Sequence, residues 1–262
     1  MRDVCFWSIG DGPYAALLQA LVHSYRHVGM EDDFHVISDR QIKEAITHIV
    51  PPFSKHCYLF KYIFLTEIMQ PLDYRYFVFL DSDNYFVRKL ENVLDLVKDI
   101  PLHSFLEGGV TSPLNKRESW QFCTPSQFVN LMHNKGLKNE KVYNANGGFF
   151  IVEKNAIKKM CDLLFDFWLY GLSQGRVFSD EPCLSYATQM LSGVQEKSLY
   201  NNNLHIWAVD WKGVFENQIP YDRTWINYDF YTNEPHTARP AIVHAVKSKD
   251  ALISFGKNIL LS

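Results

Sequence analysis

Tyr76-Phe77-Val78-Phe79-Leu80-Asp81-Ser82-Asp83 is the stretch on which the fold turns. Five apolar residues run without a polar break, which is the signature of a strand buried on both faces. Such strands belong to sheets covered by helices on both sides, so the fold class is read as α/β. The run ends on two aspartates one residue apart. In open α/β sheets ligands bind outside the carboxyl ends of the strands, so the pair stands where chemistry is expected.

Working upstream, residues 4–9 form a short apolar run that ends in Gly10-Asp11-Gly12-Pro13. Proline suits a first helical turn. Tyr14, Leu17, Leu18, Leu21, Val22, Tyr25 and Val28 then recur at helical spacing, and Gly29 closes the helix. Residues 34–38 read as a second strand, so the chain opens strand–helix–strand. Pro51-Pro52 marks a break, and 58–69 reads as a helix. Downstream, 108–147 is more polar and reads as long loops with one helix near 127–133. A strand over 148–152, helices over 156–172 and 181–191, and late strands over 204–209 and 241–245 complete the pattern. There is no internal repeat, low-complexity tract or clean linker.

The 262 residues carry a net charge of −3, which gives no basic footprint for nucleic acid. Five cysteines (Cys5, Cys57, Cys123, Cys161, Cys183) are scattered and form no Cys-x-x-Cys pair, so neither a disulfide framework nor a cysteine zinc site is favoured. A reduced compartment follows. No apolar run approaches the ~20 residues of a spanning helix, and residues 1–3 lead straight into a strand. The expectation is a cytoplasmic protein without a transmembrane segment; the apolar end Ile259-Leu260-Leu261 leaves docking or peripheral membrane contact open. Aromatics make up 15% of the chain, which buried rings mostly explain.

Neighbouring carboxylates repel and cost free energy to desolvate. A divalent cation removes both penalties, and oxygen ligands suit magnesium or manganese. Such an ion on a diphosphate would stabilise the charge that grows on a leaving nucleotide. The alternative is a turn opened by Asp81 with Asp83 as a solvated cap. His244, at the end of Ala241-Ile242-Val243-His244, is the candidate third ligand, and an imidazole would favour manganese. A lone histidine after an apolar run is otherwise a structural residue.

Several segments now stand in order: Asp11-Gly12-Pro13-Tyr14-Ala15, Asp81-Ser82-Asp83, Asn144-Ala145-Asn146-Gly147-Gly148-Phe149-Phe150-Ile151, Asp180-Glu181 and Val243-His244. Their order and spacing resemble the glycosyltransferases of family eight, the group of glycogenin and the bacterial lipopolysaccharide galactosyltransferases. The resemblance runs from residue 4 to about residue 249. It implies a GT-A fold, with a Rossmann-like, mostly parallel central sheet flanked by helices and a less regular acceptor-side region. One domain over 1–262 is expected, its nucleotide-binding part about 1–107 and its donor-sugar and acceptor part about 108–262. The implied enzyme uses a UDP-sugar and manganese (or magnesium). It moves the sugar to a hydroxyl of a glycan, glycoside or protein with retention of configuration.

Carried over residue by residue, the resemblance implies that Asp11 and Tyr14 hold and stack on uracil. Lys61 lies near the donor. Asp81 and Asp83 form the metal pair, Asp81 also near the ribose, and His244 is the third metal ligand. Asn146 faces the donor sugar and Asp180 binds a sugar hydroxyl. Two departures stand out. Glu181 occupies a position where the family commonly has glutamine, and a carboxylate near the anomeric carbon could act as nucleophile or base. The family also follows its histidine with a glycine and a lysine at set spacing. Here Lys247 and Lys249 arrive early, and spacing does not choose which reaches the diphosphate.

Each assignment has a plainer alternative. Tyr14 can pack as a helix-face aromatic. Asn144 and Asn146 can be turn formers before a strand. Asp180 can be an N-cap and Glu181 a first-turn acid. Trp207, Trp211 and Trp225 can be core or a sugar-stacking wall, core being the default. Other functions compete as well. Gly10-Asp11-Gly12-Pro13-Tyr14-Ala15 fits the G-x-G-x-x-A of an NAD(P)-dependent oxidoreductase, with Asp39 after the second strand as the ribose acid. That reading gives Asp81, Asp83 and His244 no role, and Pro13 is unusual in such a turn. An aspartyl phosphatase would want Thr or Val where Tyr85 stands. A non-catalytic nucleotide- or sugar-binding module with a structural cation is the third rival.

Overall fold

A computed structural model describes residues 2–53, 58–110, 123–210, 213, 225–228 and 235–262, the strands at 225–228 and 235–238 by backbone alone. Strand β1 (Arg2–Ile9), helix α1 (Tyr14–His27) and strand β2 (Phe34–Ser38) form the expected opening unit. A short half-exposed strand, β3 (Ile46–Ile49), follows. Helix α2 (Phe60–Phe64) continues as a π-helical turn, Leu65–Met69, and fills the helix expected over 58–69. Next come β4 (Tyr74–Leu80), β5 (Asn84–Phe86) and β6 (Leu102–Gly109). Helix α3 (Pro125–Asn134) opens on a capping box between Thr124 and Gln127. Strand β7 (Tyr143–Glu153) and helices α4 (Ile157–Ser173) and α5 (Asp180–Ser192) lead to β8 (Trp207–Val209). The chain closes with β9 (Trp225–Tyr228), β10 (Pro235–Ala238), β11 (Ile242–His244) and helix α6 (Lys249–Leu261).

The main sheet has the order β3-β2-β1-β4-β7-β6. Every strand runs the same way except β7, which is antiparallel to both neighbours. The class is therefore mixed α/β with a six-stranded, mostly parallel central sheet flanked by helices. Alternate residues of each strand face opposite layers. Trp7, Phe77, Phe79 and Phe150 point to one core with Leu164 and Leu184 of α4 and α5. Phe6, Val78, Leu80 and Phe149 point to the other, with Leu21 and Tyr25 of α1. A second sheet, β5-β11-β8, lies beside the end of β4.

Two sequence expectations change here. Asn144 and Asn146 are not turn formers: they lie inside β7 and are buried. A strand tolerates them because their amides find a buried acceptor, described below. Trp207 is fully buried and donates from Nε1 to Asn84 Oδ1 at 2.8 Å, so it is core and no sugar wall. Trp211 and the side chain of Trp225 lie outside the described residues. So does Cys57, while Cys5, Cys123, Cys161 and Cys183 are buried and form no disulfide among the described residues. Among the described residues no helix is long and apolar enough to cross a membrane.

Two buried histidines set an acid limit on the fold. Burial, with His48 and Arg2 nearby, lowers His35 to about 4. Its ring contacts His48 and the Tyr74 hydroxyl, each at 3.0 Å. Burial likewise lowers His103 to about 4. Its Nε2 donates to the Lys197 carbonyl at 2.9 Å, which fixes the neutral tautomer. Below the ordinary value of about 6.5 the unfolded chain binds protons that the folded chain refuses. Stability is therefore full above that value and falls as the pH drops toward 4. Urea titrations at about pH 7 and about pH 5 should show a loss of about 2 kcal/mol per histidine, and His103→Gln should remove its share of the pH slope.

Candidate functional site

The acidic turn is built by strand pairing. The Asp81 N–H donates to the Gly148 carbonyl at 3.0 Å, where β4 leaves its partner β7. The Asn84 N–H returns to the Asp81 carbonyl at 3.0 Å, closing a four-residue turn. The buried Asn84 side chain locks that turn, donating to the carbonyls of Asp81 at 2.9 Å and Gly148 at 3.0 Å while accepting from Trp207. Strand β5 then pairs antiparallel with β11, so that His244 lies opposite Asn84 and the Ala245 N–H donates to the Asp83 carbonyl at 2.8 Å. This pairing brings His244 to Asp83 across 161 residues of sequence, Nε2 to Oδ1, at 3.0 Å.

Asp81, Asp83 and His244 each offer a ligand atom within 4.8 Å of the others. Asp83 is 4% exposed and is no solvated cap. Burial works against its charge, but His244 and then Lys249 hold it well below the usual carboxylate range. Burial raises Asp81; Lys61 opposes this and Asp83 adds to it. Burial also works against a charged His244, yet Asp83 raises it above its ordinary value. Nδ1 of His244 is buried without a partner among the described residues, and Nε2 faces the acids. Two carboxylates and an imidazole are a donor set that fits a divalent cation.

A second cluster adjoins the first. Lys61 of α2 is buried, its Nζ 2.5 Å from Asp180, 2.8 Å from the Gly147 carbonyl and 3.5 Å from Asp81. The Tyr62 hydroxyl donates to Asp180 at 3.3 Å. Ser179, not Asp180, occupies the N-cap position of α5, so Asp180 is an ion-pair residue and not a cap. A Cβ on Gly147 would lie 2.4 Å from the Asp180 carboxylate, and one on Gly148 2.5 Å from the His244 ring. Only glycine lets β7 pass this close to both clusters.

Helix α5 docks on β7 through a polar stripe at i, i+4 and i+8. Glu181 accepts from the Gly147 N–H at 3.5 Å, Ser185 from the Ala145 N–H at 2.7 Å and Gln189 from the Tyr143 N–H at 3.1 Å. Four helix residues advance ~6 Å and two strand residues ~6.6 Å, so the three rungs match. Across β7, Glu107 of β6 accepts from the side-chain amides of Asn144 at 3.2 Å and Asn146 at 2.9 Å, one per carboxylate oxygen. Asn146 Oδ1 accepts from the Gly148 N–H at 2.8 Å. Burial, then Glu107 and Asp180, pushes Glu181 up to about 8.

On the other side, Asp11 follows β1, is buried, and accepts from the Phe53 N–H at 2.8 Å. Tyr14 is half-buried against the group of Tyr85, Val243, Ala245 and Leu252. Lys249 reaches Asp83 Oδ2 at 2.7 Å, whereas Lys247 is exposed. Of the two lysines that spacing left open, Lys249 is the one that contacts the acidic cluster. Sequence reasoning missed Glu107 and Asn84. For Glu107 the signal was present: a lone acid in Phe105-Leu106-Glu107 must be paired if that run is buried. No family model matches the chain, and no curated protein matches it.

Proposed function

We propose that the chain is a metal-dependent glycosyltransferase of the GT-A type. It would move a sugar from a nucleoside-diphosphate sugar, UDP-linked by the resemblance of Asp11 and Tyr14, to an acceptor hydroxyl. The observation that carries this reading is the meeting of Asp81, Asp83 and His244 at the carboxyl end of β4. The strand order reverses between β1 and β4, and such a switch point is where open α/β sheets bind ligands. A divalent cation held by these three residues supplies charge stabilisation for the departing diphosphate.

The remaining residues have roles that follow from their contacts. Lys61 fixes Asp180 and shields it from Asp81. Glu107 and the Gly148 N–H hold the Asn146 amide in one orientation, and by the resemblance this residue would face the donor sugar. Asp11 lies across the switch point, where the base would enter. The oxidoreductase reading has less support. Its phosphate-facing Gly12 N–H is taken by Asp39 at 3.3 Å, and Asp39 is held by Arg40 at 2.9 and 3.0 Å.

A thermal-shift panel tests the reading. UDP with manganese should raise the melting temperature, since about 100 Kd of ligand adds about 2.7 kcal/mol, and NADH should not. Manganese-dependent hydrolysis of a UDP-sugar should follow. Stabilisation by NADH alone, or UDP binding with no turnover, would favour a rival.

Burial with Glu107 and Asp180 nearby pushes Glu181 up to about 8, which favours the protonated acid near neutral pH and makes it a poor nucleophile there. Glu181→Gln keeps the acceptor for Gly147 and resembles the protonated acid. Its turnover at about pH 7 should stay within roughly tenfold of the parent, and the parent's rate change near pH 8 should vanish. A loss of several orders of magnitude would instead make Glu181 the nucleophile.

A further inference from the structure

Both oxygens of Asp83 are already engaged, Oδ1 by His244 at 3.0 Å and Oδ2 by Lys249 at 2.7 Å. A cation that uses Asp83 must share the carboxylate with an ammonium of like charge or expel it. The backbone at Lys249 cannot easily retreat. Helix α6 begins there and packs so tightly on α1 that a Cβ on Gly256 would overlap the Ala16 carbonyl. The side chain can move, because it is 42% exposed and has a flexible four-carbon stem.

We propose that Lys249 is a resident counter-ion of Asp83 that the incoming metal displaces and the nucleotide diphosphate accepts, so that metal and nucleotide bind cooperatively. The proposal rests on the metal reading above. In the free protein the ammonium neutralises Asp83 and weakens its attraction for a second cation. When a diphosphate arrives, its oxygens offer the ammonium a new partner as a point charge. Asp83 is then released to the metal. Each ligand removes an obstacle to the other, and the coupling must be equal in both directions.

Manganese titrations followed by electron paramagnetic resonance, with and without UDP, test this on the intact chain. The parent should bind manganese weakly alone and at least about tenfold more tightly with saturating UDP. Lys249→Met should bind manganese alone about tenfold more tightly than the parent, and the UDP enhancement, which direct ligation by the diphosphate still supplies, should be about tenfold smaller than in the parent. Lys249→Arg keeps a charge beside Asp83 and should stay weak without UDP. Circular dichroism confirms that each variant is folded; should Lys249→Met not fold, Lys249→Gln takes its place. Unchanged manganese affinity in the Met or Gln variant, with full UDP enhancement, would make Lys249 a structural tether and overturn the proposal. Manganese binding to neither parent nor variant, with or without UDP, would remove the metal reading itself.

Discussion

Asp83→Asn is expected to lower metal-dependent turnover by about a thousandfold or more while leaving the chain folded. A ligand that helps hold a charge-stabilising cation contributes several kcal/mol to the transition state, and about 4 kcal/mol is a factor of roughly a thousand. The change removes one negative charge from beside His244 and Lys249. His244 would then lose the main partner that raises it. Lys249, half-exposed, would hydrate. The main-chain bonds that set the turn, Asn84 to Asp81 and Ala245 to Asp83, do not involve the carboxylate. Initial rates against manganese concentration, beside a thermal melt, check both halves. A near-parental rate with an intact melt would remove Asp83 from the mechanism.

Lys61→Met carries the largest expected loss of stability, about 3–5 kcal/mol, because it strands the charge of Asp180 in the interior. The Lys61 and Asp180 side chains are 5% and 6% exposed, so water cannot replace the lost partner. The Gly147 carbonyl and the Tyr62 hydroxyl would lose the geometry that Lys61 imposes. For a chain of this size the melting temperature should fall on the order of 10 °C. The partner change Asp180→Leu, added to Lys61→Met, should recover part of the loss because no buried charge is then left alone. Urea unfolding of the single and double variants reads this directly. A loss below about 1 kcal/mol in the single variant would mean that the pair is hydrated in solution.

The sequence disclosed what local pattern encodes. The run from Tyr76 to Leu80 announced a buried strand, and the acids that follow it stand at its carboxyl end as expected. Helices α1, α4 and α5 were legible because their apolar residues recur at helical spacing. Strands β3 and β5 were not, being four and three residues long, too short for a period to show. In β6 the buried polar residues His103, Ser104 and Glu107 interrupt the apolar run, and each bonds to partners distant in sequence. His244 was a candidate from its place at the end of an apolar run, and the resemblance added to it; its contact with Asp83 depends on the pairing of β5 with β11, which no local signal reports. The stripe of Glu181, Ser185 and Gln189 was not singled out in the sequence. It faces inward because β7 offers it three N–H groups.

Anomalous diffraction from a crystal grown with manganese and UDP tests the central claim most directly. The account predicts one manganese peak about 2.2 Å from carboxylate oxygens of Asp81 and Asp83 and from His244 Nε2, with the diphosphate on its open side. Manganese bound elsewhere, with His244 still hydrogen-bonded to Asp83 and UDP absent from the crevice between β1 and β4, would contradict it.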